Sequence, residues 1–173
     1  MTEYDENWIT TYTGLKFHYL DPSPDEIRIE DIAHALSLKC RFLGHCRLFY
    51  SVAEHSYRVA ERLPDELKLS GLLHDAAEAY LPDIPRPIKV HYGLKEAEDK
   101  IFTVIAQKYE LKDSRLIKEA DDVLLATEAR DLLPNMDGWA RLPEPLPARI
   151  KPLSAATAET LFLREFKLWR DYD

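Results

Sequence analysis

Residues 51–80 read SVAEHSYRVAERLPDELKLSGLLHDAAEAY, and this stretch determines how the rest of the chain must pack. Apolar residues recur at a helical spacing over 51–63, and Pro64 ends the pattern because proline cannot continue a helix. Asp65 is a good N-cap, and the helical spacing resumes from there to about Tyr80. The stretch predicts two consecutive helices at the centre of a helical protein.

Both predicted helices carry polar side chains on their apolar faces. In the first helix, His55 lies on the stripe formed by valines, so it points inward or lines a cavity. In the second, His74 and Glu78 stack one turn apart on the inward stripe, and Asp75 lies about 100° further around the same helix. The pattern brings an imidazole and two acids inside the protein.

The flanking sequence predicts further helices and one hairpin. Gly14, followed by Leu15, suits the first central position of a tight II′ turn between two short strands in 8–19. Helical spacing predicts helices over 29–38, 94–110, 113–133 and 154–171, whereas prolines predict a stiff loop over 81–87 and an extended excursion over 134–153. We therefore predict one domain over 1–173, an all-α bundle with a small N-terminal β-hairpin, with its core motifs in 28–133.

Composition restricts the class of partner and the compartment. The net charge of −8 argues against binding a nucleic-acid polymer, which needs many Lys and Arg residues against phosphates, but it permits a small phosphorylated ligand. The two cysteines, Cys40 and Cys46, have no zinc-knuckle or CxxC spacing and are expected to be reduced thiols. The acidic N-terminus and the lack of a long apolar run predict a cytoplasmic protein without membrane contact.

Buried carboxylates are unfavourable unless they are paired or bound to a metal, and His and Asp are ligands for divalent ions. A single His-Asp pair is common by chance, however, and His55 alone reads as a core histidine bonded to a backbone carbonyl. On the later helix, periodicity prefers Asp121 over Asp122 only weakly, and either could belong to a solvated acidic face.

The combination of these residues is more specific than any one of them. The order His55, His74-Asp75, Glu78, then a helical Lys118-x-x-Asp121, resembles the HD-domain phosphohydrolase superfamily. More narrowly, five segments resemble the 5′-deoxynucleotidase branch of that superfamily: RF at 41–42, SVAEHS at 51–56, LHDAAEAY at 73–80, DIPRPIK at 83–89 and KEAD at 118–121. Four segments resemble the short HD proteins of phages and prophages: TYTG at 11–14, IEDIA at 29–33, RFLGH at 41–45 and LATEARDL at 125–132. The resemblance covers roughly residues 10–133.

The resemblance implies a role for each of these residues. It implies that one divalent ion (Mn²⁺, Co²⁺, Zn²⁺ or Mg²⁺) is held by four ligands, His55, His74, Asp75 and Asp121. Glu78 is expected to act as the acid or base. Phosphate contacts are expected from Arg41, Lys89 and Lys118, and sugar or base contacts from Phe42, His45 and Pro87. Bacterial deoxynucleotidases of this type carry Arg-Trp where this chain has Arg41-Phe42, so the aromatic face is kept and the indole donor is absent.

The function expected from this resemblance is metal-dependent hydrolysis of a deoxynucleoside 5′-monophosphate to deoxynucleoside and phosphate. Three alternatives stay open: a dNTP triphosphohydrolase that releases triphosphate, a non-catalytic nucleotide-binding or regulatory module, and a nuclease or cyclic-nucleotide phosphodiesterase. The small-molecule nucleotide is the expected partner. Related HD nucleotidases also imply a homo-oligomer.

Overall fold

The protein is described by a computed structural model over residues 7–139 and 141–170, in which Arg86 and Pro87 are described by their backbone alone. Over these residues it is mostly helical, with 55% of them in helices and one small antiparallel sheet. The described strands are β1 (Trp8–Thr10) and β2 (Lys16–His18). The described α-helices are α1 (Ile29–Leu38), α2 (Val52–Ala60), α3 (Asp65–Leu72), α4 (Arg86–His91), α5 (Lys95–Lys108), α6 (Arg115–Leu132) and α7 (Ala155–Arg170). The predicted all-α class with a hairpin is confirmed at this level.

The N-terminal hairpin forms, but its predicted turn is wrong. Strands β1 and β2 pair Trp8 with His18 and Thr10 with Lys16. Thr11 N donates to Leu15 O (2.9 Å) and Gly14 N donates to Thr11 O (3.0 Å), so the turn has three residues rather than two. Gly14 has φ +85° at the end of this turn, where a left-handed residue matches the strand twist.

Helices α2 and α3 pack closely, as the central sequence predicts. The Ser51 side chain caps α2 by accepting from Glu54 N (3.1 Å), and Pro64 occupies the cap position of α3. Asp65 is therefore the first residue of α3 and not its cap. A Cβ on Gly71 would collide with the end of the Leu63 side chain and lie 3.4 Å from the Ala60 Cα of α2, so this glycine permits the close approach of the two helices.

The core lies between α7 and the helices that it covers. Helix α7 packs against α1, α2 and α3, and its Ala158 and Phe162 are fully buried. Helix α6 packs against α2 and α3 on another side, and Leu124 joins Val59 in a second apolar cluster. No helix among the described residues is both long and apolar enough to cross a membrane.

The proline-rich segment is held against α2 and α6 by polar contacts. Leu146 N donates to Thr127 Oγ1 (2.9 Å), Ile150 N to Asp131 Oδ2 (2.9 Å) and Leu153 N to the buried carboxylate of Glu54 (2.8 Å). These contacts satisfy backbone groups that an irregular segment leaves without partners. The excursion predicted over 134–153 is therefore an ordered strap over its described part, and α7 begins directly after it, at Ala155.

Candidate metal centre

Two histidine rings face each other at the end of the contact between α2 and α3. His55 is fully buried on α2, and its Nε2 lies 3.3 Å from the Nε2 of His74. His55 Nδ1 donates to Glu128 Oε1 (2.6 Å), and His74 Nδ1 donates to the backbone oxygen of Gly71 (2.7 Å). When both rings are neutral, each Nδ1 carries the ring proton and each Nε2 presents a lone pair to the other.

Two carboxylates approach the same nitrogens. Asp75 Oδ2 lies 3.3 Å from His74 Nε2 and 3.6 Å from His55 Nε2, and Asp121 Oδ1 lies 3.4 Å from His55 Nε2. The ligand atoms of His55, His74 and Asp75 all lie within 4.8 Å of one another, so this cluster can hold a metal ion. Lys118 pairs with both Asp121 and Asp122, and of these two acids it is Asp121 whose carboxylate also approaches His55.

The charges in this cluster shift one another's pKa. Burial alone would raise the pKa of Asp75, but the two histidines and Arg41 hold it well below its usual range. Burial alone would lower the pKa of His55, but Glu128 and Asp121 raise it to about 9. The pKa of His74 is also raised, by Asp75, against the effect of burial. These shifts show a site that favours a positive charge between its acceptors.

The prediction of one helix over 65–80 is wrong, and the difference positions the site. Helix α3 ends at Leu72, and a 3₁₀ turn follows at Ala76–Ala79. Asp75 has φ −103° and ψ 16°, outside the helical range. Consecutive α-helical residues diverge by about 100°, which would keep His74 and Asp75 from meeting at one point. The break lets these adjacent side chains converge, and the His74 ring satisfies a carbonyl near the helix end.

Arg41 lies beside the cluster but is already partly engaged. Its Nε and Nη2 lie 3.1 Å and 3.0 Å from Glu128 Oε2, and its Nη1 lies 3.7 Å from Asp75 Oδ2. The predicted phosphate contact of Arg41 is therefore restricted to its Nη1 side. Burial would lower its pKa, but Glu128 and Asp75 raise it, so the guanidinium stays charged.

Glu128 is a functional candidate that the sequence reasoning missed. It is fully buried and contacts both His55 and Arg41, so it fixes the orientation of a candidate ligand and neutralises a buried cation. Its own pKa is lowered by Arg41 and His55 against the effect of burial. The available signal was its position seven residues after Asp121, which places both acids on the same face of α6.

Glu78 lies in the 3₁₀ turn, and its side chain is only 7% exposed. Its Oε1 accepts from Lys89 Nζ (3.3 Å), while its Oε2 is buried and has no hydrogen-bond partner among the described residues. Burial, together with the negative charges of Asp75 and Asp83, raises the pKa of Glu78 to about 9. Lys39 donates to the backbone oxygen of Glu78 and holds this turn in place.

The other predicted contacts lie around this centre. Lys89 also pairs with Glu98 (2.5 Å), and Lys118 is half-exposed beside Asp121 (3.1 Å). Phe42 is half-buried next to Arg41, whereas His45 is exposed. The stiff loop predicted over 81–87 ends earlier, because Arg86 and Pro87 begin α4, where proline is tolerated in the first turn. The side chain of Pro87, a predicted sugar or base contact, lies outside the described part of the structure.

No protein-family model matches the chain. YfdR of Escherichia coli (strain K12), an uncharacterized protein, is 41% identical over 168 residues, which cover 92% of this chain and 94% of YfdR. The uncharacterized protein RCAP_rcc00048 of Rhodobacter capsulatus is 34% identical over 142 residues, which cover 72% of each chain. The likeness to YfdR spans nearly the whole of both proteins.

Proposed function

The chain belongs to the protein family that includes YfdR of Escherichia coli, and for this member we propose the function of a metal-dependent phosphohydrolase of the HD-domain superfamily. Its proposed substrate is a deoxynucleoside 5′-monophosphate, which it hydrolyses to deoxynucleoside and phosphate. Its proposed metal ligands are His55, His74, Asp75 and Asp121. A small nucleotide and self-association into a homo-oligomer are part of the same proposal.

The observation that carries this proposal is the meeting of two ring-nitrogen lone pairs at 3.3 Å, with a carboxylate oxygen 3.3–3.6 Å from them on either side. Each Nδ1 proton is used elsewhere, so when both rings are neutral no histidine donates a proton to the centre. Four acceptors repel one another unless a cation or an added proton lies between them. Two imidazoles and two carboxylates are a donor set that suits a borderline divalent ion.

When bound, such an ion supplies Lewis acidity that makes water more acidic and polarises a phosphoryl oxygen. Glu78 has the properties of the group that handles the proton in hydrolysis. It is buried, one of its carboxylate oxygens has no hydrogen-bond partner among the described residues, and its pKa is raised to about 9, so near neutral pH it carries a proton that it can give to the leaving oxygen. Lys89, bonded to the other oxygen, holds the carboxyl group in position.

Three cations lie around the proposed centre and can bind phosphate oxygens. Arg41 presents its Nη1 beside Asp75, Lys118 lies beside Asp121, and Lys89 lies beside Glu78. Arginine can bind a phosphate through two parallel N–H groups, whereas lysine contributes a single point charge. Because Glu128 occupies the Nε and Nη2 groups of Arg41, we expect Lys89 and Lys118 to make most of the phosphate contacts.

The test is a metal-reconstitution assay. The purified protein is treated with a chelator, reloaded separately with Mn²⁺, Co²⁺, Zn²⁺ and Mg²⁺, and assayed on dNMPs, NMPs, dNTPs, p-nitrophenyl phosphate and bis-p-nitrophenyl phosphate. We expect activity on dNMPs well above that on the nitrophenyl esters, with orthophosphate as product. Release of triphosphate from a dNTP would instead support the triphosphohydrolase alternative.

Two histidine variants provide the matched comparison. His74→Ala should abolish metal-dependent turnover, whereas His34→Ala should retain it because His34 pairs with Glu159 on α7, away from the cluster. Turnover that survives both chelation and His74→Ala would refute the metal centre. Equal rates on all phosphate esters would refute the nucleotide specificity.

A further inference from the structure

An aromatic pair lies beside the candidate centre: Phe42, already an expected sugar or base contact, and Trp139, to which the proposed function gives no role. The rings of Phe42 and Trp139 meet edge-on, with centroids 6.4 Å apart and planes at 62°. Trp139 is 40% exposed. A partly exposed indole beside a polar site offers a ring face on which a planar ligand can stack.

The pair connects to the metal cluster through one residue. The guanidinium carbon of Arg41 lies 5.4 Å from the centroid of the Phe42 ring, and Arg41 Nη1 lies 3.7 Å from Asp75. A nucleotide whose phosphate contacts Arg41 and the cluster must extend its sugar and base away from them. Phe42 and Trp139 are the aromatic surfaces next along this path.

Two separate segments are fastened together to build the pair. Arg47 N donates to Leu132 O (2.8 Å) and its Nη2 donates to Pro134 O (3.2 Å), which ties the loop after Phe42 to the segment that leads to Trp139. Phe42 has φ +55°, a left-handed conformation that is unfavourable for a residue with a Cβ. The surrounding structure therefore holds Phe42 in a backbone conformation that it would not adopt by preference.

We propose that Trp139, supported by Phe42, is a stacking surface for the base of the bound nucleotide. This inference rests on the proposed function, because it takes the phosphate of the same nucleotide to lie at the metal cluster. Stacking uses the ring face that every base has, so we expect the site to accept several bases. Replacing a stacking aromatic with alanine typically weakens binding by about five- to a hundredfold.

The test measures binding and turnover separately. Trp8 and Trp169 are replaced by phenylalanine, so that Trp139 is the remaining tryptophan, and the Zn²⁺-loaded protein, carrying Glu78→Gln to slow turnover, is titrated with dAMP. Saturable quenching of the fluorescence is expected. In the otherwise unmodified chain, Trp139→Ala should raise the dissociation constant for dAMP about five- to a hundredfold by calorimetry, and Trp139→Phe should restore most of the affinity.

Two controls make the result specific. Deoxyribose 5-phosphate has no base, so its affinity should be unchanged in Trp139→Ala. Trp8→Ala removes another half-buried tryptophan, on the hairpin beside Lys16, and should leave dAMP binding unchanged. If Trp139→Ala leaves dAMP affinity unchanged, or weakens deoxyribose 5-phosphate equally, the stacking role is wrong. A changed oligomeric state with unchanged dAMP binding would likewise overturn it and identify an interface between copies.

This test and that of the proposed function can fail independently. Wild-type protein that binds dAMP through Trp139 without releasing phosphate supports the stacking surface and refutes the hydrolase. If the wild type hydrolyses dAMP and Trp139→Ala changes neither turnover nor dAMP affinity, the stacking surface is refuted and the hydrolase is supported.

Discussion

Replacing Glu128 tests whether the candidate centre depends on a buried residue that does not itself face the ion. Glu128 accepts from His55 Nδ1 (2.6 Å) and from Arg41 Nε (3.1 Å), and its Oε2 lies 3.0 Å from Arg41 Nη2. Glu128→Gln keeps the size of the side chain and removes its charge. We expect the variant to fold and to bind metal more weakly than the wild type.

The magnitude follows from what each contact does. A carboxylate that orients a ligating histidine through its second nitrogen typically contributes about 10- to 100-fold to metal affinity. Glu128→Ala would also remove the ion pair of the buried Arg41 with Glu128 and leave the more distant carboxylate of Asp75, 3.7 Å from Arg41 Nη1. Loss of one partner of a buried ion pair lowers the free energy of unfolding by about 3–5 kcal/mol. Glutamine keeps an oxygen acceptor, so we expect roughly half of that loss for Glu128→Gln.

Isothermal titration calorimetry with Mn²⁺ or Zn²⁺ measures the affinity, and urea unfolding of the metal-free protein measures the stability. Glu54→Gln is the matched control because Glu54 is also fully buried, with its carboxylate bonded to Arg58 and to Leu153 N instead of to the cluster. Glu54→Gln should lower stability and leave metal affinity unchanged. Wild-type metal affinity in Glu128→Gln, or an equal loss in Glu54→Gln, would refute the role given to Glu128.

Three further predictions concern catalysis, protonation and the strap. Glu78→Gln should lower turnover by about 10²–10⁴ and leave the metal bound; wild-type kinetics would refute its acid–base role, and loss of metal would make it structural. Because the pKa of His55 is raised to about 9 in the metal-free protein, and a ligating nitrogen must be deprotonated, metal affinity should rise as pH increases toward 9. If one proton is released, the rise below that pH is about tenfold per unit, and calorimetry that finds equal affinity at pH 6 and pH 8 would contradict the shift. The hydrogen bonds from Arg130 hold the pKa of Asp131 well below its usual range. The ionised Asp131 therefore stabilises the fold at neutral pH, and this stabilisation is lost on acidification. Asp131→Asn should lower the free energy of unfolding by about 1–3 kcal/mol with unchanged metal affinity, and an unchanged urea midpoint at pH 7 would exclude this contribution.

Most of the helices could be predicted from sequence because their signals are local; α4 was not, because it begins inside the segment that prolines marked as a loop. The stops and starts around Pro64 come from backbone chemistry that operates within a few residues, and α2 and α3 begin within one residue of the predicted positions. The hairpin was predictable for the same reason, although Gly14 alone could not decide between a two-residue and a three-residue turn. That choice depends on which residues pair, and Thr11 pairs with Leu15.

The break after Leu72 had no local signal. Leu73, Ala76 and Ala77 favour a helix by intrinsic preference, so the sequence predicts that the helix continues. The backbone departs from that preference where the His74 ring bonds to Gly71 O and where Asp75 approaches both histidines. The bond to Gly71 is local to the end of α3, whereas the approach of Asp75 to His55 is a tertiary contact with α2; together they outweigh a propensity of roughly a few tenths of a kcal/mol per residue.

One buried network joins the candidate ion to the surface that would meet the rest of a nucleotide. Asp121 and Glu128, on the same face of α6, contact the two ring nitrogens of His55, and Glu128 also pairs with Arg41. Arg41 in turn lies beside Phe42, whose backbone is held in an unfavourable conformation. A cation bound at the candidate metal site is therefore expected to change how strongly Arg41 pairs with Glu128. A shift of Arg41 would in turn move its Nη1 group and the Phe42 ring, which are the groups proposed to contact the nucleotide. Arg41 also lies 3.7 Å from Asp75, so metal binding and nucleotide binding should be coupled through both Glu128 and Asp75.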